Sequence, residues 1–205
     1  MDKHAAPAPH VDLHRIAPIP PLFFSRDPDR QVPDEAGCAA LWDKYGMPEH
    51  IRAHSRLVTD IAVTLAEALE AAGADIHVPS VRASALLHDL GKIYSIEHGG
   101  SHAQLGAAWV MAATRNPHIA QGVIQHVRWI WDVDVDDDRQ LLTLSVLYAD
   151  KRVRHDQIVS LEERFEDIMA RYGRTERARQ RITAAAEQGR VVEAALARRL
   201  GKLPV

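Results

Sequence analysis

The run Leu86-Leu87-His88-Asp89-Leu90-Gly91-Lys92 decides how the rest of the chain is read. An apolar stretch delivers a His and an Asp side by side, Leu-Gly turns the chain, and a Lys follows. Adjacent side chains on a helix point about 100° apart and seldom meet on one face. At a helix end loosened by Gly91 the pair can instead converge on one cation, leaving the second carboxylate oxygen of Asp89 for a neighbouring ion. His-Asp pairs arise often by chance, so the weight falls on the other His and Asp residues.

Pro48 opens a helix that runs to near Gly73, in which Ile51, His54, Val58, Ile61 and Leu65 form one apolar stripe. A lone His on such a stripe is ordinarily a satisfied core residue. His126 repeats the placement, sharing a face with Ile119, Val123 and Val127 in a helix restarted by Asn116-Pro117 and ended by Trp129-Ile130-Trp131. Asp150 ends the stripe Leu142, Val146, Ala149 of a helix expected over about 141–154. An Asp there needs a partner, which a cation supplies. His102 falls in the first turn of a helix over about 101–115 with Ser101 at its N-cap. Gly106, one turn later on the same face, would let a backbone or a ligand approach closely.

Together these residues resemble the HD superfamily of metal-dependent phosphohydrolases: an early His (His54), a His-Asp pair (His88-Asp89), two middle His (His102, His126) and a late Asp (Asp150). The resemblance covers about residues 48–155, and His-Asp-Leu-Gly-Lys is similar to the His-Asp-Ile-Gly-Lys form of the motif. It implies an all-α HD-type helical bundle. It also implies that His54, His88, Asp89 and Asp150 hold a first metal, and that His102 and His126 hold a second, with Asp89 bridging. Four His and two Asp without Cys form a site suited to Fe, Mn, Zn, Ni or Co, and ligand type does not choose among them. The set exceeds what one catalytic metal requires, so two divalent transition metals are expected.

Two metals suit phosphoryl transfer, and the expected substrate is a small phosphate ester or anhydride, in particular a nucleotide. Asp89 and Lys92 are the expected catalytic residues. Lys92 is either a point charge for a phosphate oxygen or a solvated helix-end lysine. Arg154, four residues after Asp150 on the expected helix, could also reach an anionic substrate, whereas Lys151 and Arg152 would point elsewhere. His102-Ala-Gln-Leu-Gly106 and Tyr148-Ala-Asp150 are similar to a group that cleaves diadenosine tetraphosphate, but the region after Asp150 departs from it. No Gly-Tyr-Pro motif follows the ligands, which disfavours a cyclic-dinucleotide phosphodiesterase. Two other classes share the pattern: an HD-fold mixed-valent diiron oxygenase with the same six ligands, and a non-catalytic nucleotide-binding HD module. The complete ligand set argues against the last.

The remaining chain sets the frame. A length of 205 residues supports one core. Prolines 7, 9, 18, 20, 21, 28 and 33 make residues 1–33 an extended proline-rich arm, lying on the domain or on a second subunit, before a helical domain over 34–205. His4, His10 and His14 in that arm have no helical context and read as chance polar residues. The first helix is expected from Asp34 to Tyr45, and residues 93–100 are expected to form a loop near the site, with His98 on the surface. Asp132 to Asp138 resembles the start of a calcium loop but has Asp137 where Gly is needed and Thr143 where Glu is needed, so it reads as a solvated loop. Helices over 161–173 and about 175–200 follow, the latter packing on the core or contacting a second copy in a homodimer. A net charge of −3 gives no nucleic-acid signal, although residues 151–205 carry 13 Lys+Arg against 8 Asp+Glu. Cys38 is single, no apolar run reaches the ~18 residues of a membrane span, and the start lacks a signal-peptide core. The expectation is a cytoplasmic protein.

Overall fold

Residues 23–129 and 132–205 are described by the structure, a computed structural model. The helices are α1 (Glu35–Lys44), α2 (Glu49–Ala71), α3 (Val78–Leu87), α4 (Lys92–His98), α5 (His102–Thr114), α6 (Pro117–Gln125), α7 (Asp138–Lys151), α8 (Leu161–Tyr172) and α9 (Glu176–Leu200). Between α7 and α8 lies a two-residue hairpin, β1 (Val153–Arg154) and β2 (Gln157–Ile158), with Val153 opposite Ile158. The fold is therefore all-α. Helix starts follow local chemistry: Asp34, Ser101, Asn116, Asp137, Ser160 and Thr175 each accept a hydrogen bond from a first-turn amide. Ser160 and Glu163 complete a reciprocal capping box.

Two apolar clusters divide the interior. One gathers α2, α7 and α9 around Leu65, Leu144, Tyr148 and Leu196; the other gathers α1, α5 and α6 around Trp42, Val110 and Ile119. α3 feeds both, with Val81 and Ala85 in the first and Leu86 and Leu87 in the second. Its C-terminal end thus opens at the seam between the clusters, and His88-Asp89 emerges there, buried. α9 packs on the core through Val192, Ala195 and Leu196.

Several expectations are corrected. Residues 93–98 are helical, not a loop: Lys92 to His98 contains no breaker, and the chain stops only at Gly99, where φ is +82°. The helix carrying His126 ends at Gln125, short of Trp129. Trp129 is instead tied by its backbone N–H and carbonyl to the Gln188 side chain of α9. α7 begins at Asp138 and ends at Lys151, so Arg154 lies on β1, not one helical turn beyond Asp150. The acidic run is only partly solvated, since Asp137 caps α7 and Asp138 pairs with Arg199. Arm residues 1–22 lie outside the described residues. Its described end touches the domain where the Phe24 amide donates to Gln121 Oε1 and Asn116 Nδ2 donates to the Gln31 carbonyl.

Candidate metal centre

α2, α3, α5, α6 and α7 each aim a side chain at the seam. His54 comes from the middle of α2, His88 and Asp89 from the end of α3, His102 from the first turn of α5, His126 from the end of α6 and Asp150 from the last turn of α7. The turn after α3 is held by the Leu90 and Lys92 amides donating to the Leu87 and Asp89 carbonyls. Gly91 is required there for space rather than for a left-handed turn, since its φ is −85°. A Cβ on Gly91 would lie 2.6 Å from the His102 carbonyl oxygen and 2.8 Å from the Gly106 amide nitrogen. That contact presses the α3–α4 turn onto α5 and brings His102 to Asp89.

Three imidazoles are oriented from behind. Nδ1–H of His88 donates to the Ala85 carbonyl at 2.7 Å, that of His126 to the Val123 carbonyl at 2.6 Å, and His54 Nδ1 faces the His155 carbonyl at 3.3 Å. With Nδ1 carrying the proton, each Nε2 presents a lone pair to the centre, a backbone arrangement typical of metal-binding His. His155 holds a φ of +58°, uncommon for a residue with a side chain, and this turn of the hairpin places its carbonyl on His54.

Asp89 divides its two oxygens. Oδ2 lies 3.8 Å from His54 Nε2 and 3.4 Å from His88 Nε2, while Oδ1 lies 3.5 Å from His102 Nε2 and 3.9 Å from His126 Nε2. Asp150 Oδ1 lies 3.1 Å from His54 Nε2 and 3.6 Å from His88 Nε2. Ligands about 2.1 Å from one ion stand roughly 3.4 Å apart in a tetrahedron, so these separations suit a shared cation. His54, His88 and Asp150 form one buried group able to hold a metal, and His88, Asp89 and His126 another. His102 Nε2 and His126 Nε2 face each other at 3.1 Å. His102, with 31% of its side chain exposed against 2% for Asp89, marks the open side.

His88 Nε2 supplies the test of fit. It is buried and makes no hydrogen bond to any described residue. An orphaned polar atom at the core is costly unless something else satisfies it. Burial pulls the His88 pKa down, but Asp89 and Asp150 outweigh it and push it up to about 9. Burial also opposes ionisation of the two carboxylates, yet His88 and Lys92 hold Asp89, and Lys151, His54 and His88 hold Asp150, well below the usual range. Burial holds His126 and His102 down. The two anionic carboxylates and the neutral His102 and His126 are in the state that divalent-metal binding requires, whereas His88, held cationic by the carboxylates, would have to release its proton for Nε2 to take a metal.

A family model described as HD domain matches residues 51–186. The chain belongs to the HD domain family. The matched region of this HD domain runs beyond residue 155, where the motif resemblance ended, and takes in α8 and part of α9. Over 76 residues the chain is 40% identical to the tRNA (cytidine(56)-2'-O)-methyltransferase of Thermoplasma volcanium, a stretch covering 37% of this chain and 20% of that protein. The HD-domain chain thus spans about a fifth of that relative's length. No solved structure matches it.

The cations around the HD-domain site differ from expectation. Lys92 Nζ donates to Asp89 Oδ2 at 2.5 Å, with about a third of its side chain exposed. Burial lowers its pKa, but Asp89 and Asp150 prevail and raise it, so it stays charged. Arg154 forms no hydrogen bond or ion pair with a ligand residue; its guanidinium lies 3.4 Å from Gln157 Oε1. α7 stops three residues earlier, so Arg154 shares no helical face with Asp150. Lys151, expected to point away, donates to Asp150 Oδ2 and reaches the His126 carbonyl at 3.4 Å. Arg164 of α8 was missed as well. Its charge bears on Lys92, its Nε is buried without a hydrogen-bond partner, and Nη1 reaches Asp167 only at 3.5 Å. A basic residue in the last turn was the only signal for Lys151, and nothing local distinguished Arg164. His98 is exposed against Tyr94. Among the described residues no helix is long and apolar enough to cross a membrane.

Proposed function

We propose that this HD domain is a metal-dependent phosphohydrolase acting on a phosphate ester or anhydride, in particular of a nucleotide. The observation that carries the reading is the division of Asp89, with Oδ2 toward His54 and His88 and Oδ1 toward His102 and His126. A carboxylate shared in this way suits two cations. His54, His88, Asp89 and Asp150 would hold one, and Asp89, His102 and His126 the other. When bound, such metals supply Lewis acidity toward a phosphoryl oxygen and a more acidic water at neutral pH.

The chain's own residues supply the rest. Lys92 sits beside Asp89 at the edge of the site, where it can pair with a non-bridging phosphoryl oxygen as negative charge develops. A fixed cation there stabilises an anionic transition state without reorganising. That placement is also what favours phosphate over the carbon-cleaving oxygenase chemistry open to a diiron pair in the same fold. The partial likeness to a tRNA methyltransferase covers too little of either chain to carry tRNA to this one as a substrate.

The test is one preparation loaded in turn with manganese, cobalt and iron and offered a nucleotide panel with and without oxygen. Phosphate release independent of oxygen is expected. Turnover seen only with iron and oxygen would transfer the assignment to an oxygenase, and tight binding with no turnover would leave a binding module.

A further inference from the structure

The metal centre has a neighbour that the ligands do not explain. A cavity of about 430 Å³ lies between the Val127–Arg128 segment, α8 and α9. It opens one residue beyond His126, and Lys151 lines it while also holding Asp150. The cavity therefore meets the candidate metal site through a single side chain. Its size falls in the range of small-molecule sites, which is on the order of 300–1,000 Å³.

The lining has two halves. Ile168 and Tyr172 of α8 and Ile182 of α9 give it an apolar wall, with Tyr172 exposed. Arg128, Lys151 and Arg181 give it three cations, and among the described residues no carboxylate lines it. On the same helix Arg179 pairs with Glu176 and Arg190 with Glu187. Neither Arg128 nor Arg181 makes a hydrogen bond or an ion pair among the described residues. Three cations beside an apolar wall complement a molecule that is itself half anionic and half apolar.

We infer that this cavity seats the organic half of the substrate, which is therefore an organic phosphate with a flat apolar body and an anionic group beyond the reacting phosphate. The inference rests on the phosphohydrolase reading and names the substrate class for that same site. Lys151, at the inner end, spans the reacting and the seated portions. Arg128 and Arg181, at the rim, meet the additional negative charge, and Ile168, Tyr172 and Ile182 take the apolar body.

ADP and inorganic pyrophosphate are the probes, since both carry a diphosphate and only one carries a body. Their binding to the full chain is measured by calorimetry for the wild type, for Ile182→Trp, which fills the cavity, and for the double variant Arg128→Gln/Arg181→Gln. Metal content is measured on the same samples. ADP is expected to bind the wild type at least about tenfold more tightly than pyrophosphate. Ile182→Trp should remove that advantage while pyrophosphate binding persists. The double variant, whose changes are exposed and spare the fold, should weaken ADP by about tenfold or more with metal content unchanged. Equal affinity of the wild type for both probes, or ADP affinity unchanged in both variants, overturns the inference. Binding is read without turnover, which separates the two failures. If ADP binds as expected but no metal yields phosphate, the hydrolase reading falls and the cavity assignment stands. If both probes are hydrolysed as fast by Ile182→Trp as by the wild type, the cavity assignment falls and the hydrolase reading stands.

Discussion

Asp89 and Lys92 are neighbours in space with separable tasks. Asp89 faces four imidazoles with two oxygens, so Asp89→Ala should remove more metal than His102→Ala, whose side chain is the most exposed of the set. Metal per chain, measured by elemental analysis after gel filtration, checks this; equal and unaltered content in both variants would refute the site. Lys92 has no place among the metal ligands, so Lys92→Ala should leave metal bound. It should lower turnover on a phosphate substrate by about 10²–10³, the cost of losing one donor aimed at developing charge. A full rate in Lys92→Ala would return that lysine to a solvated helix end. At His88 the local sequence and the tertiary structure point different ways. Its apolar neighbours in sequence are compatible with a packed core histidine, but a buried Nε2 that makes no hydrogen bond and faces two carboxylates is not.

At the scale of elements, the site depends on one close crossing. The α3–α4 turn rests on the start of α5 through Gly91 and Gly106, with no room for a Cβ at Gly91. Gly91→Ala should therefore destabilise the fold by about 1–3 kcal/mol, the usual cost of overpacking, as read by urea unfolding. The same variant should lose metal from the His102 side first, because the clash pushes α5 away from Asp89. Unchanged stability and unchanged metal content would mean that the crossing does not position His102. The end of α7 matters in the same way. Stopping at Lys151 rather than Arg154 turns Lys151 into the site and places the hairpin carbonyl of His155 behind His54.

Across the whole molecule, helices from both apolar clusters meet at buried carboxylates, so metal should act as a structural clamp. A ligand at about a hundredfold its Kd stabilises by about 2.7 kcal/mol, or a Tm rise of roughly 5–10 °C for a domain of this size. Chelation followed by manganese or zinc, monitored by scanning calorimetry, should show that rise, and Asp89→Ala should not. A second dependence lies away from the metal. Burial first, then the charges of His77 and Arg26, lower the His118 pKa to about 4. The unfolded chain takes up that proton near pH 6.5 and the folded chain only near pH 4, so stability is present above 6.5 and falls as pH drops between the two. The loss should amount to as much as roughly 3 kcal/mol. Urea midpoints at pH 7.5 and 5 for the wild type and His118→Gln check it; an identical fall in both would acquit His118.

The sequence by itself determined most of the helices, the Ser101 cap and the candidate ligand residue types, because 3.6-residue periodicity and capping are local properties carried by adjacent residues. His54, His126 and Asp150 could be placed on apolar stripes from spacing alone. Helix ends were legible only where a breaker marked them. α4 hid in a stretch read as loop, and α7 stopped at Lys151 without a Gly or Pro to announce it. Three things waited for the tertiary structure. These were the division of Asp89 between two pairs of imidazoles, the backbone carbonyls that orient them, and the cation Lys151 beside them. Each depends on how helices distant in sequence cross, and crossing is decided by the packing of two apolar clusters against a shared α3, which no local pattern encodes.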